Sequence, residues 1–342
     1  MIAAASECRV SLPPVIEYDA DRADLPLVVV PVSIPSMTTL LRDRLDEFAG
    51  LARVRIHTDW TDDEDVLAAR MSDAAVVMST GFRASARLLE RIAGRVRCIT
   101  FCGTGAVSFI DLDAARRLGI TICNAVHYGD NAVAEHAIAL MFEHTHRVGE
   151  LNARTHQGGW PGADITELSG RTLGIIGFGG IGRRVARLAH GIGLRLLVWD
   201  RHPDAAELAA LNAESAATMD EVFSRADIVS LHLALNDATR GIIGPAQLDL
   251  MRPGALLVNT ARAELIEPGA MLRRLSRGDI AAAIDVTAPE PLPDDDPLRT
   301  LPNLIITPHV AWRSDRALAA LVEQNVRSAV EFLKGGAYNV IV

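Results

Sequence analysis

Short apolar runs alternate with amphipathic stretches along most of the chain. In the first part, strand-like runs lie at residues 27–32, 54–57, 75–78, 96–101 and 121–123. Apolar strands separated by helical stretches predict a parallel sheet that helices cover on both faces. One helix is marked by Met37, Leu40, Leu41, Leu45 and Phe48. The segment from Met1 to about Asp24 contains no convincing strand, and we expect an extension or a loosely ordered arm there.

The same alternation begins again near the middle of the chain. Further strands are predicted from residue 172 and at residues 195–200, 227–233, 255–259, 281–286 and 304–307. After Pro308, a last helix is marked by Leu318, Leu321, Val322, Val326, Val330 and Leu333, and it ends at Gly335-Gly336. A second α/β unit therefore follows the first.

The strand at residue 172 leads into a glycine-rich turn that opens a helix. Gly177 allows the tight turn, Gly179 lets the backbone approach a pyrophosphate, and Gly182 lets helix and strand pack closely. The helix has Ile181, Val185, Leu188 and Ala189 on one face and Arg183, Arg184 and Arg187 on the other. Asp200 ends the next strand. Strand, helix and acid together favour a dinucleotide site over a turn that binds nothing.

The position of Asp200 bears on which dinucleotide binds. An acid there accepts hydrogen bonds from ribose hydroxyls and repels a 2′-phosphate, which favours NAD over NADP. Arg201 and His202 follow directly and could hold a 2′-phosphate, so the choice between NAD and NADP stays open.

The glycine-rich turn has a full α/β unit before it and only one helix after its own unit. This order predicts a cofactor domain inserted into a discontinuous substrate domain, each an α/β domain with a doubly wound parallel sheet. We place the NAD-binding Rossmann domain at residues 126–309 and the substrate domain at residues 1–125 and 310–342.

Composition narrows the classes of partner. A chain of 342 residues is long enough for two domains, and its net charge of −9 argues against nucleic acid or an anionic membrane as a partner. Four cysteines without a CxxC pair, and an N-terminus without the pattern of a leader, predict the reducing cytoplasm. No apolar run approaches the roughly 18–20 residues of a membrane span.

Lys334 is the only lysine, and it lies near the C-terminus. Schiff-base enzymes, P-loop NTPases and alanine-dehydrogenase-type enzymes need a lysine in the active site, so these classes are disfavoured. The sequence also lacks HExxH and the His/Cys spacing of metal sites. The acidic run at residues 294–296 is typical of a solvated turn, and we expect no metal.

Three residues at the ends of late strands suit a hydride transfer to a ketone. His309 fits the proton donor, Glu290 could orient it, and Arg262 could grip a carboxylate with its planar fork. Each has an ordinary structural alternative when taken alone. Arg262 could cap a helix or pair with Glu264, Glu290 could be a turn acid, and His309 could be a satisfied loop histidine.

The order of motifs along the chain supports the roles suggested for these three residues. After the glycine turn and Asp200 come N-T-A-R at residues 259–262, an acid-and-proline segment at residues 285–293, and T-P-H-V-A-W at residues 307–312. This order resembles the D-isomer-specific 2-hydroxyacid dehydrogenase family from about Pro26 onwards. V-A-E-H at residues 133–136 and M-R-P-G-A at residues 251–255 agree with it. The resemblance implies a flavodoxin-like substrate domain and an NAD-dependent enzyme that interconverts a small 2-oxoacid and its D-2-hydroxyacid.

The resemblance also implies roles at matching positions. The catalytic residues would be Arg262, Glu290 and His309. The cofactor-binding residues would be Gly177, Gly179, Gly180, Ile181, Gly182, Asp200, Leu233, Ala234, Thr239, Thr260, Ala261 and Asp285, the last on the nicotinamide carboxamide. The substrate-binding residues would be Ser79, Thr80, Gly103, Thr104, Gly105 and Trp312. A homodimer formed through the cofactor domain is also expected.

Several features leave the substrate open. Ala234 and Ala263 replace a proline and a glycine that are common in the family, and the loop at residues 103–111 looks one residue longer than usual. Hydroxypyruvate, glyoxylate and 3-phosphoglycerate types of substrate all fit the resemblance. The same motifs also fit an NAD(H)-sensing protein of the corepressor type, which turnover would distinguish from an enzyme.

Overall fold

The computed structural model describes residues 12–342, which divide into two compact units. The first unit combines the described residues up to Tyr128 with Asp315–Val342, and the second is Gly129–Ser314. These divisions lie 3 and 5 residues later than residues 125/126 and 309/310, where the sequence placed them. Residues 310–314 stay with the second unit, since the amides of Val310 and Ala311 bind Asp285 there.

The first unit contains one sheet of six strands. The strands are β1 (Val15–Tyr18), β2 (Leu27–Val30), β3 (Arg53–His57), β4 (Val76–Ser79), β5 (Cys98–Phe101) and β6 (Thr121–Cys123). Their order is β1-β3-β2-β4-β5-β6, and all neighbours are parallel except β1 with β3. The five parallel strands have the flavodoxin-like order.

Helices cover both faces of this sheet. They are α1 (Pro35–Arg42), α2 (Glu64–Met71), α3 (Ala86–Ile92), α4 (Leu112–Leu118) and α12 (Asp315–Leu333), with 3₁₀ turns at Leu45–Phe48 and Ala106–Ser108. The strands β2, β4 and β5 are buried along their whole length because both faces are covered. Side-chain caps from Asp63, Ser85 and Asp111 begin α2, α3 and α4.

A buried polar contact fastens α12 to the first sheet. The side-chain oxygen of Asn325 accepts a hydrogen bond from the Thr100 hydroxyl, and its Nδ2 donates to the Thr100 carbonyl (3.3 Å) and to Cys102 Sγ (2.6 Å). Burial raises the pKa of the Cys102 thiol to about 12, so the thiol stays protonated. The contact gives partners to both polar atoms of the buried Asn325 side chain.

The second unit contains a sheet of seven parallel strands. The strands are β7 (Thr172–Ile176), β8 (Arg195–Trp199), β9 (Glu214–Ser215), β10 (Ile228–Leu231), β11 (Leu256–Asn259), β12 (Ala281–Ile284) and β13 (Leu304–Ile306). Their order, β13-β12-β11-β10-β7-β8-β9, is that of a Rossmann sheet with one added edge strand. The reversal of strand order falls between β7 and β10, where such sheets bind ligands.

The helices of the second unit pack on both faces of its sheet. They are α5 (Asp130–His146), α6 (Val148–His156), α7 (Gly180–Ile192), α8 (Ala205–Ala210), α9 (Met219–Arg225), α10 (Pro245–Asp249) and α11 (Ala270–Leu275), with 3₁₀ turns at Ala263–Leu265 and Pro297–Thr300. On one face Met141 of α5 and Val185 of α7 share a core, and on the other Phe223 and Leu275 do. No helix of the described chain is both long enough and apolar enough to cross a membrane.

Three sequence predictions about local structure were wrong, and one short strand was missed. Val15–Tyr18 is a strand and not an arm, while residues 1–11 of that segment lie outside the described residues. The short strand β9 was not foreseen. The predicted helix over residues 37–48 ends at Arg42 and resumes as a 3₁₀ turn at Leu45. Leu188 is 39% exposed, because the buried stripe of α7 is formed by Gly182, Val185, Ala186 and Ala189.

Gly174 provides a test of packing in the second unit. A Cβ at this position in β7 would lie 2.3 Å from Val222 Cγ1 and 2.9 Å from Ala226 Cβ. We expect Gly174→Ala to lower the free energy of unfolding by about 1–3 kcal/mol through overpacking. Gly191→Ala in α7 is the control, since its Cβ would meet nothing within 4 Å. It should be neutral or stabilise by up to about 1 kcal/mol. Equal unfolding midpoints in urea for the two variants would contradict the packing argument.

Candidate active site

The turn between β7 and α7 has the geometry that its glycines predict. Gly177 has φ +97°, and a Cβ on it would lie 2.8 Å from the carbonyl carbon of His232. A Cβ on Gly182 would lie 2.1 Å from the Gly177 carbonyl oxygen. Both positions therefore exclude every residue except glycine, and they hold β7, α7 and the end of β10 at close approach.

The middle of the same turn is open. A Cβ on Gly179 would meet no atom within 4 Å. Gly180 and Ile181 follow it as the first residues of α7, whose N-terminal amides have no partner within the helix. A helix N-terminus beside open backbone suits an anionic phosphate group. This part of the predicted dinucleotide site fits a pyrophosphate.

Asp200 lies directly after β8 and is held by backbone amides. Its Oδ2 accepts from the Phe178 amide at 2.6 Å and its Oδ1 from the His202 amide at 2.9 Å. Arg183 braces the turn from α7, because its Nε donates to the Phe178 carbonyl at 2.9 Å and its Nη1 to Glu207 at 2.7 Å. The carboxylate is thus fixed beside the glycine turn.

The loop after β10 carries three of the predicted cofactor residues. Leu233 and Ala234 begin this loop, and Thr239 closes it with a hydroxyl that donates to the Ala234 carbonyl at 2.7 Å. The same hydroxyl accepts from the Asn236 amide at 2.9 Å. Thr239 is 5% exposed, so its side chain fastens the loop from inside.

Arg262 stands in a turn that β11 sets up. The side chain of Asn259 accepts from the Ala261 amide at 3.0 Å and donates to the Arg262 carbonyl at 2.9 Å. The guanidinium donates to the Ala261 carbonyl at 2.8 Å and forms no salt bridge, with Glu264 or otherwise, among the described residues. Thr260 is 6% exposed, and its hydroxyl is one of the buried polar atoms without a partner. Both groups have bonding capacity left for a ligand.

His309 and Glu290 form a close pair. His309 Nδ1 lies 2.7 Å from Glu290 Oε2, and the other carboxylate oxygen accepts from the Thr287 amide at 3.0 Å. Partial burial of Glu290 opposes its ionisation. The hydrogen bond and charge of His309, the Thr287 amide and the charge of Arg262 outweigh burial and lower the pKa of Glu290. The ionised carboxylate thus orients the imidazole and leaves Nε2 free.

Asp285 fixes the segment that carries His309. Its Oδ1 accepts from the Val310 amide at 3.0 Å, its Oδ2 accepts from the Ala311 amide at 2.9 Å, and its carbonyl accepts from the His309 amide at 2.8 Å. The side chain is 1% exposed. The structure therefore shows a positioning role for a residue that the sequence assigned to the cofactor. The contact with the nicotinamide carboxamide stays a prediction.

Comparisons with known proteins identify the family of this chain. The family model for the NAD binding domain of D-isomer specific 2-hydroxyacid dehydrogenases matches residues 138–311. A hydroxypyruvate reductase from Blautia hydrogenotrophica is 32% identical over 306 residues, which cover 86% of this chain and 93% of that protein. This chain belongs to the D-isomer-specific 2-hydroxyacid dehydrogenase family. It is an NAD-dependent oxidoreductase, as the sequence predicted.

Other relatives in the family support the same conclusion. A glycerate dehydrogenase from Methylorubrum extorquens is 32% identical over 293 residues, covering 82% of this chain and 89% of that protein. The apo structure of D-lactate dehydrogenase from Escherichia coli matches with a TM-score of 0.82 at 28% identity, covering 93% of this chain and 100% of that one. The two-domain α/β fold of the family is confirmed.

The residues that the family resemblance assigned to the substrate belong to both units. Ser79 ends β4, and Thr80 follows it with a hydroxyl that donates to the Val32 carbonyl at 2.6 Å. Gly103, Thr104 and Gly105 follow β5, where the Thr104 hydroxyl donates to the Ala125 carbonyl at 2.9 Å. These five residues lie at the carboxyl end of the first sheet, whereas Trp312 belongs to the second unit. Their roles in this family member stay predictions.

Two polar residues of the site were missed by sequence reasoning. The Thr307 hydroxyl donates to Asp285 Oδ1 at 2.6 Å, and His136 Nε2 lies 3.0 Å from that hydroxyl. Both residues stand in motifs that carry the family resemblance, but nothing in their spacing indicates that α5 and β13 bring them together. In the acidic run at residues 294–296, the Asp296 side chain caps the 3₁₀ turn Pro297–Thr300. The described residues hold no group of three or more His, Cys, Asp or Glu that could bind a metal.

The lowered pKa of Glu290 gives a pH dependence of stability. A carboxyl whose pKa is lower in the folded state stabilises the fold above its unfolded pKa of about 4.3. That stabilisation is lost as pH falls through the pKa of Glu290 in the folded state.

We expect Glu290→Gln to melt at a lower temperature than the unchanged protein near neutral pH, with the difference shrinking below about pH 4. Glu135→Gln, at an exposed position of α5, is the control. A difference in melting temperature that does not vary with pH would show that the charge of Glu290 contributes nothing.

Proposed function

We propose that the protein reduces a small 2-oxoacid to its D-2-hydroxyacid, and catalyses the reverse reaction, with His309 and Glu290 as the acid–base pair and Arg262 as the substrate clamp. The 2.7 Å contact between His309 and Glu290 carries this proposal. A carboxylate on Nδ1 fixes the tautomer and stabilises the imidazolium. His309 Nε2 is then the atom that gives a proton to the carbonyl oxygen in reduction and removes it in oxidation.

Arg262 suits the substrate carboxylate. Its fork can form two parallel hydrogen bonds with a carboxylate, and no acidic side chain among the described residues neutralises it. Its positive charge helps to lower the pKa of Glu290, so the two side chains interact electrostatically. The same charge would stabilise negative charge that develops on the carbonyl oxygen.

The cofactor would lie along the carboxyl edge of the second sheet. When bound, NADH supplies the hydride that reduces the carbonyl carbon. Gly177, Gly179 and Gly182 would admit its pyrophosphate, and Gly180 and Ile181 would present amides to it. Asp200 would accept the ribose hydroxyls and disfavour a 2′-phosphate. The unpaired hydroxyl of Thr260 would find a partner near the nicotinamide, with Ala261 beside it.

We infer a substrate of the hydroxypyruvate, glyoxylate or 3-phosphoglycerate type. The names of the relatives support this range, since one is a hydroxypyruvate reductase and another a glycerate dehydrogenase. Ser79, Thr80, Gly103, Thr104 and Gly105 are the proposed substrate residues of the first unit, and Trp312 that of the second. Backbone amides in such loops suit a carboxylate, and a large ring limits the side chain that can bind.

We further propose a homodimer that forms through the second unit in the cytoplasm. The segment after α5 exposes three large apolar side chains, since Val148 is 61%, Trp160 93% and Ile165 53% exposed. Large exposed apolar side chains within one segment support an interface there. We expect light scattering to give twice the mass of the 36.7 kDa chain. Trp160→Asp should shift the protein toward monomer, whereas Trp60→Asp, at an exposed position of the first unit, should not. A monomeric unchanged protein would refute the dimer.

The activity is tested by NADH oxidation with purified protein. We expect turnover with at least one of glyoxylate, hydroxypyruvate, pyruvate, phenylpyruvate and 3-phosphohydroxypyruvate, and a weaker rate when NADPH replaces NADH. His309→Ala should lower kcat by at least about 100-fold, because general acid catalysis is lost. The control is His190→Ala, at an exposed position of α7.

Other outcomes would overturn the proposal. Full activity of His309→Ala would remove His309 from the reaction. NADH binding without turnover on any of these acids would favour the NAD(H)-sensing role. Binding of a partner protein by the unchanged protein and by His309→Ala would then test whether His309 is needed for that role.

A further inference from the structure

The backbone at His309 is in an uncommon conformation. His309 has φ +52°, in the left-handed region that residues other than glycine rarely adopt. Such a backbone conformation is unfavourable in free energy, and it persists only where neighbouring groups hold it. What holds it therefore decides where the imidazole points.

The groups that hold this turn converge on Asp285. Its main-chain carbonyl accepts from the His309 amide, and its two carboxylate oxygens accept from the next two amides, those of Val310 and Ala311. Three successive amides are thus fixed by one residue. Any rotation of the Asp285 carboxylate would release two of them and shift the ring of His309 relative to Glu290.

The carboxylate of Asp285 is itself held by Thr307. The Thr307 hydroxyl donates to Asp285 Oδ1 at 2.6 Å, while the alternative acceptor, the Ile284 carbonyl, is 3.5 Å away. A hydroxyl has one proton, so the Thr307 oxygen can only accept from its other neighbour. That neighbour is His136, whose Nε2 is 3.0 Å from the hydroxyl and 3.6 Å from Asp285 Oδ1. The directions of the hydrogen bonds thus require a proton on His136 Nε2.

His136 is placed to make this contact by α5. It lies among the buried residues Ala134, Ala137 and Ile138 of that helix, and its side chain is 23% exposed. The helix packs against β11 and β12, the strands that lead to Arg262 and Asp285. Every member of the chain from His136 to His309 belongs to the second unit.

We propose that His136 is a positioning residue for the reaction. Its Nε2–H donates to Thr307, Thr307 donates to Asp285, and Asp285 fixes the left-handed turn that aims His309 at Glu290. This inference rests on the proposed function of His309. It adds a second histidine that never touches substrate and acts only through the hydrogen-bonded chain.

Paired variants test the chain of hydrogen bonds. His136→Leu removes the donor, and His136→Gln restores an amide N–H near the position of Nε2. Thr307→Val removes the hydroxyl, and Thr307→Ser keeps it. We expect kcat to fall by about 10- to 100-fold in the Leu and Val variants, as for a small misplacement of a reacting group. KM for the 2-oxoacid and Kd for NADH should change less than about threefold, and Gln and Ser should recover most of the kcat.

The double variant separates one chain from two independent effects. Because both residues act through Asp285, His136→Leu combined with Thr307→Val should lose no more kcat than the worse single variant. His144→Leu is the matched control, the same change in the same helix, and should keep full kcat. Multiplied losses in the double variant, or unchanged kcat in His136→Leu, would overturn the inference. So would an equal loss in His144→Leu.

A spectroscopic readout needs no turnover. In protein labelled with ¹⁵N-histidine, the ring nitrogens of His136 should show the Nε2–H form. The ring signals of His309 should move in His136→Leu and not in His144→Leu. Unmoved His309 signals would overturn the inference, whatever the activity. Full activity of His309→Ala would instead refute the proposed function, so the two failures are distinguishable.

Discussion

The buried carboxylate of Asp285 is the constraint on which the arrangement of reacting groups depends. A carboxylate that is 1% exposed must be satisfied by hydrogen bonds, and it accepts them from two amides and the hydroxyl of Thr307. Those amides belong to the segment that carries His309. The same hydrogen bonds therefore satisfy the charge and fix the segment that places the imidazole beside Glu290.

The parallel sheet explains why these groups meet. Asp200 and Asp285 come directly after strands of the second sheet, and Arg262 and His309 follow two others within three residues, so the topology brings all four to one edge. At that edge the backbone leaves its ladder partners, and amides become available to side chains and ligands. The glycine turn leaves amides free that fit a phosphate group, whereas the amides of the turn at His309 bind Asp285. Amides at the ends of strands are therefore open in one loop and fixed by a side chain in another.

Most of the fold could be predicted from the sequence, since long parallel strands are apolar throughout and their runs are easily recognised. The proposed catalytic residues could be named because each follows such a run within a distinctive motif. What escaped prediction depends on tertiary contacts. Val15–Tyr18 alternates only weakly and is a strand because β3 offers an edge to it. Leu188 has helical spacing with the core of α7, yet the buried stripe runs through Gly182, Val185, Ala186 and Ala189 and leaves Leu188 at its side.

The contact between His136 and Thr307 shows the same limit at the site. Each residue is visible in a motif, but their hydrogen bond joins positions 171 residues apart and depends on how α5 lies against the sheet. Sequence spacing cannot give that geometry, nor the direction of a proton. The direction follows only when the three partners are seen together, because Asp285 can only accept and the hydroxyl has one proton to give. A family motif thus names the residues proposed to react, whereas the contacts from His136 through Thr307 to Asp285 hold the segment that carries His309.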